Sequence, residues 1–215
     1  FERGHIMKRA FSLAAALGLM AFVAAPAMGQ ITGSAHDFSA DAWNTTGEIC
    51  VVCHTPHNAK AGISDAPLWN HEVSTATYTL YTSGTLDATT AQPTGASKLC
   101  LSCHDGTIAL EDFGGVTTGT NDITGDALVG IDLSNDHPIS FTYDGALATA
   151  DGDLADPAAV SSGVGATPGT IAADLLISGQ MQCSSCHGVH NEYGVAKLLV
   201  KSNAASDLCL TCHTK

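Results

Sequence analysis

Basic side chains are scarce in this chain: 8 Lys and Arg stand against 21 Asp and Glu in 215 residues, a formal charge of −13. So acidic a balance excludes electrostatic binding to nucleic acid or anionic lipid and favours a well-solvated surface. Aromatic residues are also few, at 6%, while glycine reaches 22. With its long runs of Ala, Thr, Gly and Asp, the polypeptide lacks the side chains that build a conventional core. Beyond residue 25 no apolar run is long enough to span a bilayer. Cysteine is absent everywhere except in one repeated pattern.

That pattern, Cys-x-x-Cys-His, occurs four times and uses all eight cysteines. The copies are Cys50, Cys53 and His54; Cys100, Cys103 and His104; Cys183, Cys186 and His187; and Cys209, Cys212 and His213. It is the attachment signature for c-type haem. From a single helical turn the two thiols each reach one vinyl group of the same porphyrin, and the adjacent imidazole falls under the iron as its proximal ligand. A zinc site would need ligand pairs that converge, whereas each motif here is self-contained. A disulfide inside one motif would close too small a loop to stabilise much. The pattern therefore implies four covalently bound haem c groups with iron centres, whose apolar macrocycles supply the missing core. The expected fold class is a multihaem cytochrome c: mostly loop with a few short helices and minimal strand, haems forming the core.

The amino-terminal region reads as a secretory signal peptide over residues 7–29, behind upstream or non-native residues 1–6. Met7 is followed by Lys8-Arg9, the apolar run from Ala10 to Ala25, and small residues up to Gly29, with cleavage expected near Ala27 or Gly29. Residues 30–215 then form one tetrahaem domain with 5 basic and 20 acidic residues, a charge of −15, and no membrane span after processing. Export fits haem attachment on the outer side of the bacterial cytoplasmic membrane. The expected location is extracellular or the outer cell surface, with the periplasm as the alternative.

Between the motifs regular structure is thin. Tyr78 to Tyr81 reads as a short extended segment, and Pro138 to Tyr143 alternates like a strand. The rest of Glu111 to Gly179 is expected to be loop, with a short helix at Thr170 to Ile177. Each motif is expected on a helical turn, and Ala204 to Thr211 is the best candidate for a longer helix. Asp151, Asp153 and Asp156 lack the spacing of a calcium loop and read as a solvated turn.

Function turns on the second axial ligand, because an iron with two protein ligands carries electrons whereas one with an open position can transform a small molecule. Apart from His5 and the four motif residues, five histidines are available: His36, His57, His71, His137 and His190. Met181 is the only methionine beyond residue 28, so bis-histidine ligation at all four irons is the economical reading. His57 and His190 each stand three residues after a motif histidine, from where a side chain can reach the iron of a neighbouring haem. His137 is held extended by Pro138 and lies beside Asp136. His36 stands on an amino-terminal arm. His71 is taken as the spare. Because every motif ends in His and candidates exceed open sites, an electron carrier is expected rather than an enzyme.

Several stretches resemble the secreted multihaem cytochromes of metal-reducing bacteria: His36-Asp37-Phe38-Ser39, Gly47 to Ala59, Ala66 to Asn70, Leu99 to Gly106, and Asp136 to Phe141. In size and motif number the chain is similar to the OmcE-type tetrahaem cytochromes, whose subunits polymerise into extracellular nanowires. The resemblance spans nearly all of residues 30–215. It implies an almost loop-only fold, bis-histidine haems in parallel and T-shaped pairs, and one distal histidine donated across the subunit interface. Carried onto this chain, it makes His36 the donated ligand to a haem of the neighbouring subunit in a head-to-tail filament of copies. Redox partner cytochromes and extracellular acceptors would complete the pathway. A monomeric electron shuttle is the alternative, with a multihaem reductase a weaker one.

Overall fold

The computed structural model describes residues 30–63, 66 and 68–215. The signal peptide read at 7–29, and residues 1–6 before it, lie outside the described residues. Turns and loops make up most of the chain. Among the described residues the regular elements are α1 (Gly95–His104), β1 (Phe141–Thr142), α2 (Gly145–Asp151), α3 (Ile171–Asp174), β2 (Gln180–Met181) and α4 (Cys209–Cys212). Short 3-10 turns occur at Gly125–Ala127, Cys183–Ser185, Ala196–Leu198 and Ala204–Ser206. This is the loop-dominated class expected above. None of the described helices is long and apolar enough to cross a membrane.

The alternating segment before Tyr143 becomes β1, with Phe141 and Tyr143 buried and Thr142 exposed. It pairs antiparallel with β2, Phe141 opposite Met181 and Thr142 opposite Gln180. A tight turn leads into β2: Ile177 and Gln180 exchange backbone hydrogen bonds of 3.1 and 3.0 Å across Ser178 at φ 53° and Gly179 at φ 76°. Two successive positive φ values suit a primed turn, and Gly179 adopts its value without a Cβ penalty. After β1, Asp144 caps α2 by accepting from Leu147 N–H, and Gly152 ends the helix in the left-handed region. Phe141, Tyr143, Ile171, Leu175 and Met181 belong to the main apolar cluster, which α2 joins through Ala148.

Two helix expectations are corrected. Thr170 to Ile177 is helical only at Ile171–Asp174, because Leu176 is drawn into the main cluster and Ile177 into the turn before β2. Ala204 to Thr211 is broken by positive φ at Ala205 (54°) and Ser206 (64°), leaving a 3-10 turn and then α4. Residues 204–207 are all exposed, so helix propensity there has no burial to support it. The longest described helix is instead α1, which carries the second motif.

A second cluster of Tyr78, Leu101 and Leu133 ties the extended segment to α1. Thr79 donates to Ile131 O at 3.0 Å and accepts from Leu133 N–H at 2.8 Å. One turn before Leu101 in α1, Ser97 N–H donates to Gln182 Oε1 at 3.1 Å, and Ser97 Oγ accepts from Cys183 N–H at 2.9 Å. Ser97 and Gln182 are both buried, so this polar lock fixes the third motif against the second.

Candidate haem-attachment and axial-ligand site

Each motif is a single helical turn. His54 N–H donates to Cys50 O at 2.8 Å, His187 to Cys183 O at 3.1 Å and His213 to Cys209 O at 3.0 Å, while the second motif completes α1. One turn places both sulfurs and the imidazole on the same side, as attachment to one macrocycle requires. All eight cysteines are free of disulfides.

Successive motifs adjoin one another in space. Burial, then the neighbouring Cys53, pushes the Cys103 thiol up to about 12. Between the second and third motifs the Cys100 thiol hydrogen-bonds to the Cys183 sulfur, which together with burial raises Cys100 and favours the charged form of Cys183. Burial raises Cys212 to about 11, assisted by the nearby Cys186 of the third motif. Each motif therefore lies close to the next one along the chain, and His190 brings the third motif near the first as well.

Three motif histidines face a histidine from elsewhere in the chain. Ring centroids are 6.1 Å apart for His36 and His104, 6.3 Å for His54 and His190, and 6.3 Å for His137 and His213. Two iron–imidazole bonds of about 2.0 Å, with about 1.1 Å from nitrogen to ring centre on each side, span roughly 6.2 Å. The observed separations match one metal ion between each pair.

Backbone carbonyls orient the rings. The Nδ1–H of His104 donates to Ala127 O at 2.7 Å, that of His137 to Pro138 O at 2.8 Å and that of His187 to Lys197 O at 3.0 Å. Such bonds fix the tautomer that leaves Nε2 as the metal-binding lone pair. Burial, followed by the proximity of His104, lowers the His36 pKa and favours its neutral, ligating form.

His36 thus lies beside His104 of its own chain. The arm that carries it is folded down rather than free. Asn44, only 4% exposed, donates from Nδ2 to Phe38 O at 3.0 Å and to Glu48 O at 3.1 Å. Phe38 packs on Trp43 with centroids 5.3 Å apart.

His57 and His187 face no other histidine in the ring contacts of the described residues. His57 is exposed on a turn in which Thr55 Oγ1 donates to His57 O at 2.9 Å. His71 is fully enclosed, and its two nitrogens lie 2.9 Å from Glu72 O and 3.1 Å from Ala109 O. It packs 3.6 Å from the Cys103 sulfur, and a neutral ring donates to only one of those two carbonyls.

Other features fit a large apolar group. A cavity of about 380 Å³ lined by Phe141, Leu147, Met181 and Leu208 also carries His137, Cys209, Cys212 and His213 on its wall. Trp69 Nε1 is buried without a hydrogen-bond partner and its ring sits edge-on to His54, while Ser184 Oγ is similarly unpartnered inside the third motif. Buried donors are rarely orphaned, so these two fit acceptors brought by a bound group, such as haem propionates. Sequence reading passed over Trp69 as a site residue. The carboxylates of Asp151 and Asp156 accept from turn N–H groups, and Asp153 pairs with Lys215.

A search of curated proteins gave no match. The family model described as a doubled CXXCH motif matches residues 177–215, the segment holding the third and fourth motifs and Gln182, one half of the polar lock. That match, with the loop-dominated fold and the motif geometry, indicates a multihaem c-type cytochrome that binds haem c covalently and transfers electrons.

Proposed function

We propose that the chain carries four bis-histidine haems in a continuous row and is a subunit of a head-to-tail extracellular cytochrome filament. The observation that carries this reading is the remainder left by the three facing pairs: an oriented His187 and an exposed His57. Cys50 and Cys53 would hold the first haem with His54 and His190, and Cys100 and Cys103 the second with His104 and His36. Cys183 and Cys186 would hold the third with His187. Cys209 and Cys212 would hold the fourth with His213 and His137. Haem iron, cycling between ferrous and ferric states, supplies the one-electron chemistry.

The remaining position opposite His187 is filled by His57 of the next subunit. His57 projects from the first motif while His187 lies in the third, so the contact joins unlike surfaces and propagates unless its rotation closes. His57, rather than His36, is then the residue donated between copies. A monomeric shuttle would need His57 to turn back onto its own His187. Negative-stain imaging of secreted wild type and of a His57→Ala variant tests the reading. Thin filaments lost in the variant are expected; filaments that persist in it overturn the trans-ligand assignment.

A further inference from the structure

The helix α1, which carries the second motif, has no side-chain cap of its own: Thr94 precedes it without bonding into its first turn. Its Ser97 N–H is capped from the third motif instead. Gln182, the residue before Cys183, presents Oε1 to Ser97 N–H at 3.1 Å and to Ser140 Oγ at 3.3 Å, while Ser140 Oγ accepts from Thr94 N–H at 3.1 Å. The capping is reciprocal. Ser97 Oγ accepts from Cys183 N–H at 2.9 Å, and Ser185 Oγ accepts from Gln182 N–H at 2.9 Å within the same turn. Ser97, Ser140, Gln182 and Ser185 are all buried, so none of these donors could turn to water instead. Helix-terminal N–H groups need acceptors, and here each motif-bearing turn supplies one to the other.

The attachment sulfurs follow the backbones that carry them. Cys100 lies three residues after Ser97 in α1, and its thiol hydrogen-bonds to the Cys183 sulfur. Each sulfur bonds to its own macrocycle when haem is attached, so the two macrocycles meet at this edge. The neighbouring joints are built differently. Between the first and second motifs, Asn70 N–H donates to Cys53 O at 2.9 Å and His71 packs 3.6 Å from the Cys103 sulfur. Between the third and fourth, Val200 N–H donates to Cys186 O at 2.9 Å and Cys212 packs against the main apolar cluster.

We propose that Gln182 and Ser97 are positioning residues that hold the haems of the second and third motifs at a close, fixed separation and so set the rate of electron passage between them. The proposal rests on the reading of these motifs as neighbouring electron carriers. One iron is oxidised as the other is reduced by the same electron, and no bond forms or breaks. The rate of such a step falls steeply as the gap between macrocycles widens. Directional hydrogen bonds in a low-dielectric interior restrict that gap more tightly than non-directional apolar contacts do.

The test is a Gln182→Met variant, which keeps the side-chain length and removes the acceptor. In the partly reduced holoprotein, exchange NMR of the haem methyl signals reads the electron-exchange rate of each adjacent pair, while mass and absorption spectra report haem content and spin state. The expected result is wild-type haem content and spin state with exchange slowed between the second and third haems and unchanged at the other pairs. A general loss of stability does not produce that pattern. Unchanged exchange at the second–third pair, or equal slowing at every pair, overturns the proposal while leaving the row of haems intact. A wild-type protein without haem at the second or third motif overturns both. If Gln182→Met does not take up its haems, Ser97→Ala decides, because it suits a helix and keeps the Ser97 N–H while removing the acceptor for Cys183 N–H. Slowing at the same pair alone is expected, and its absence overturns the proposal.

Discussion

Replacing His36 with Ala removes the imidazole whose ring centre lies 6.1 Å from that of His104. Under the ligand assignment above, one iron of four loses an axial bond, so about a quarter of the haem absorbance passes from low to high spin. The change appears in isolated subunits and in filaments alike, because His36 and His104 belong to one chain. The arm itself stays folded, since Asn44 still bridges Phe38 and Glu48. Haem content and self-assembly are therefore unaffected. Free imidazole restores the low-spin spectrum by entering the space the side chain leaves. His57→Ala behaves oppositely: isolated subunits keep the spectrum of isolated wild type, and assembly is lost. Absorption spectroscopy on size-separated fractions distinguishes the two patterns. A His36→Ala protein whose isolated subunits keep the spectrum of isolated wild type but form no filaments would refute the reasoning and return the donated-ligand role to His36.

Ile171 is 0% exposed in the main cluster, so Ile171→Ala costs roughly 2–5 kcal/mol in denaturant titration; a cost below that range means the cluster collapses around the gap. Asp144→Ala removes the cap on α2 and costs about 1 kcal/mol, with amide exchange accelerated first at Leu147. Asp37 has its pKa held below the usual carboxylate range by the Ser39 hydroxyl and then by Gly33 and Ser39 N–H groups. Its folded-state pKa is depressed, so its contribution is present above pH 3.8 and is lost as pH falls through the lower folded value. Exchange at Gly33 and Ser39 should quicken in that acid window and, in Asp37→Asn, already at neutral pH.

The loop-dominated class was legible because a chain poor in aromatics and rich in glycine needs another source of core, and the repeated motif named it. Pro138 to Tyr143 betrayed its strand by alternation alone. The broken helix at 204–211 was not legible, since alanine propensity says nothing about whether a surface exists to cover it. The five spare histidines could be counted in sequence, but their facing partners could not. His36 and His104 are brought together by an arm whose fold depends on Asn44 reaching two carbonyls, a contact with no periodic signature. His71 likewise reveals its packing role only once Ala109 closes over it.

In the proposed filament the row of haems continues from one subunit into the next through a single imidazole. Cryo-electron microscopy of the secreted protein, at a resolution that shows side chains, tests it most directly. The account predicts a filament with four haems per subunit and His57 of one copy opposite His187 of the next across one iron. Dispersed subunits in which His57 and His187 of the same chain share an iron would contradict it.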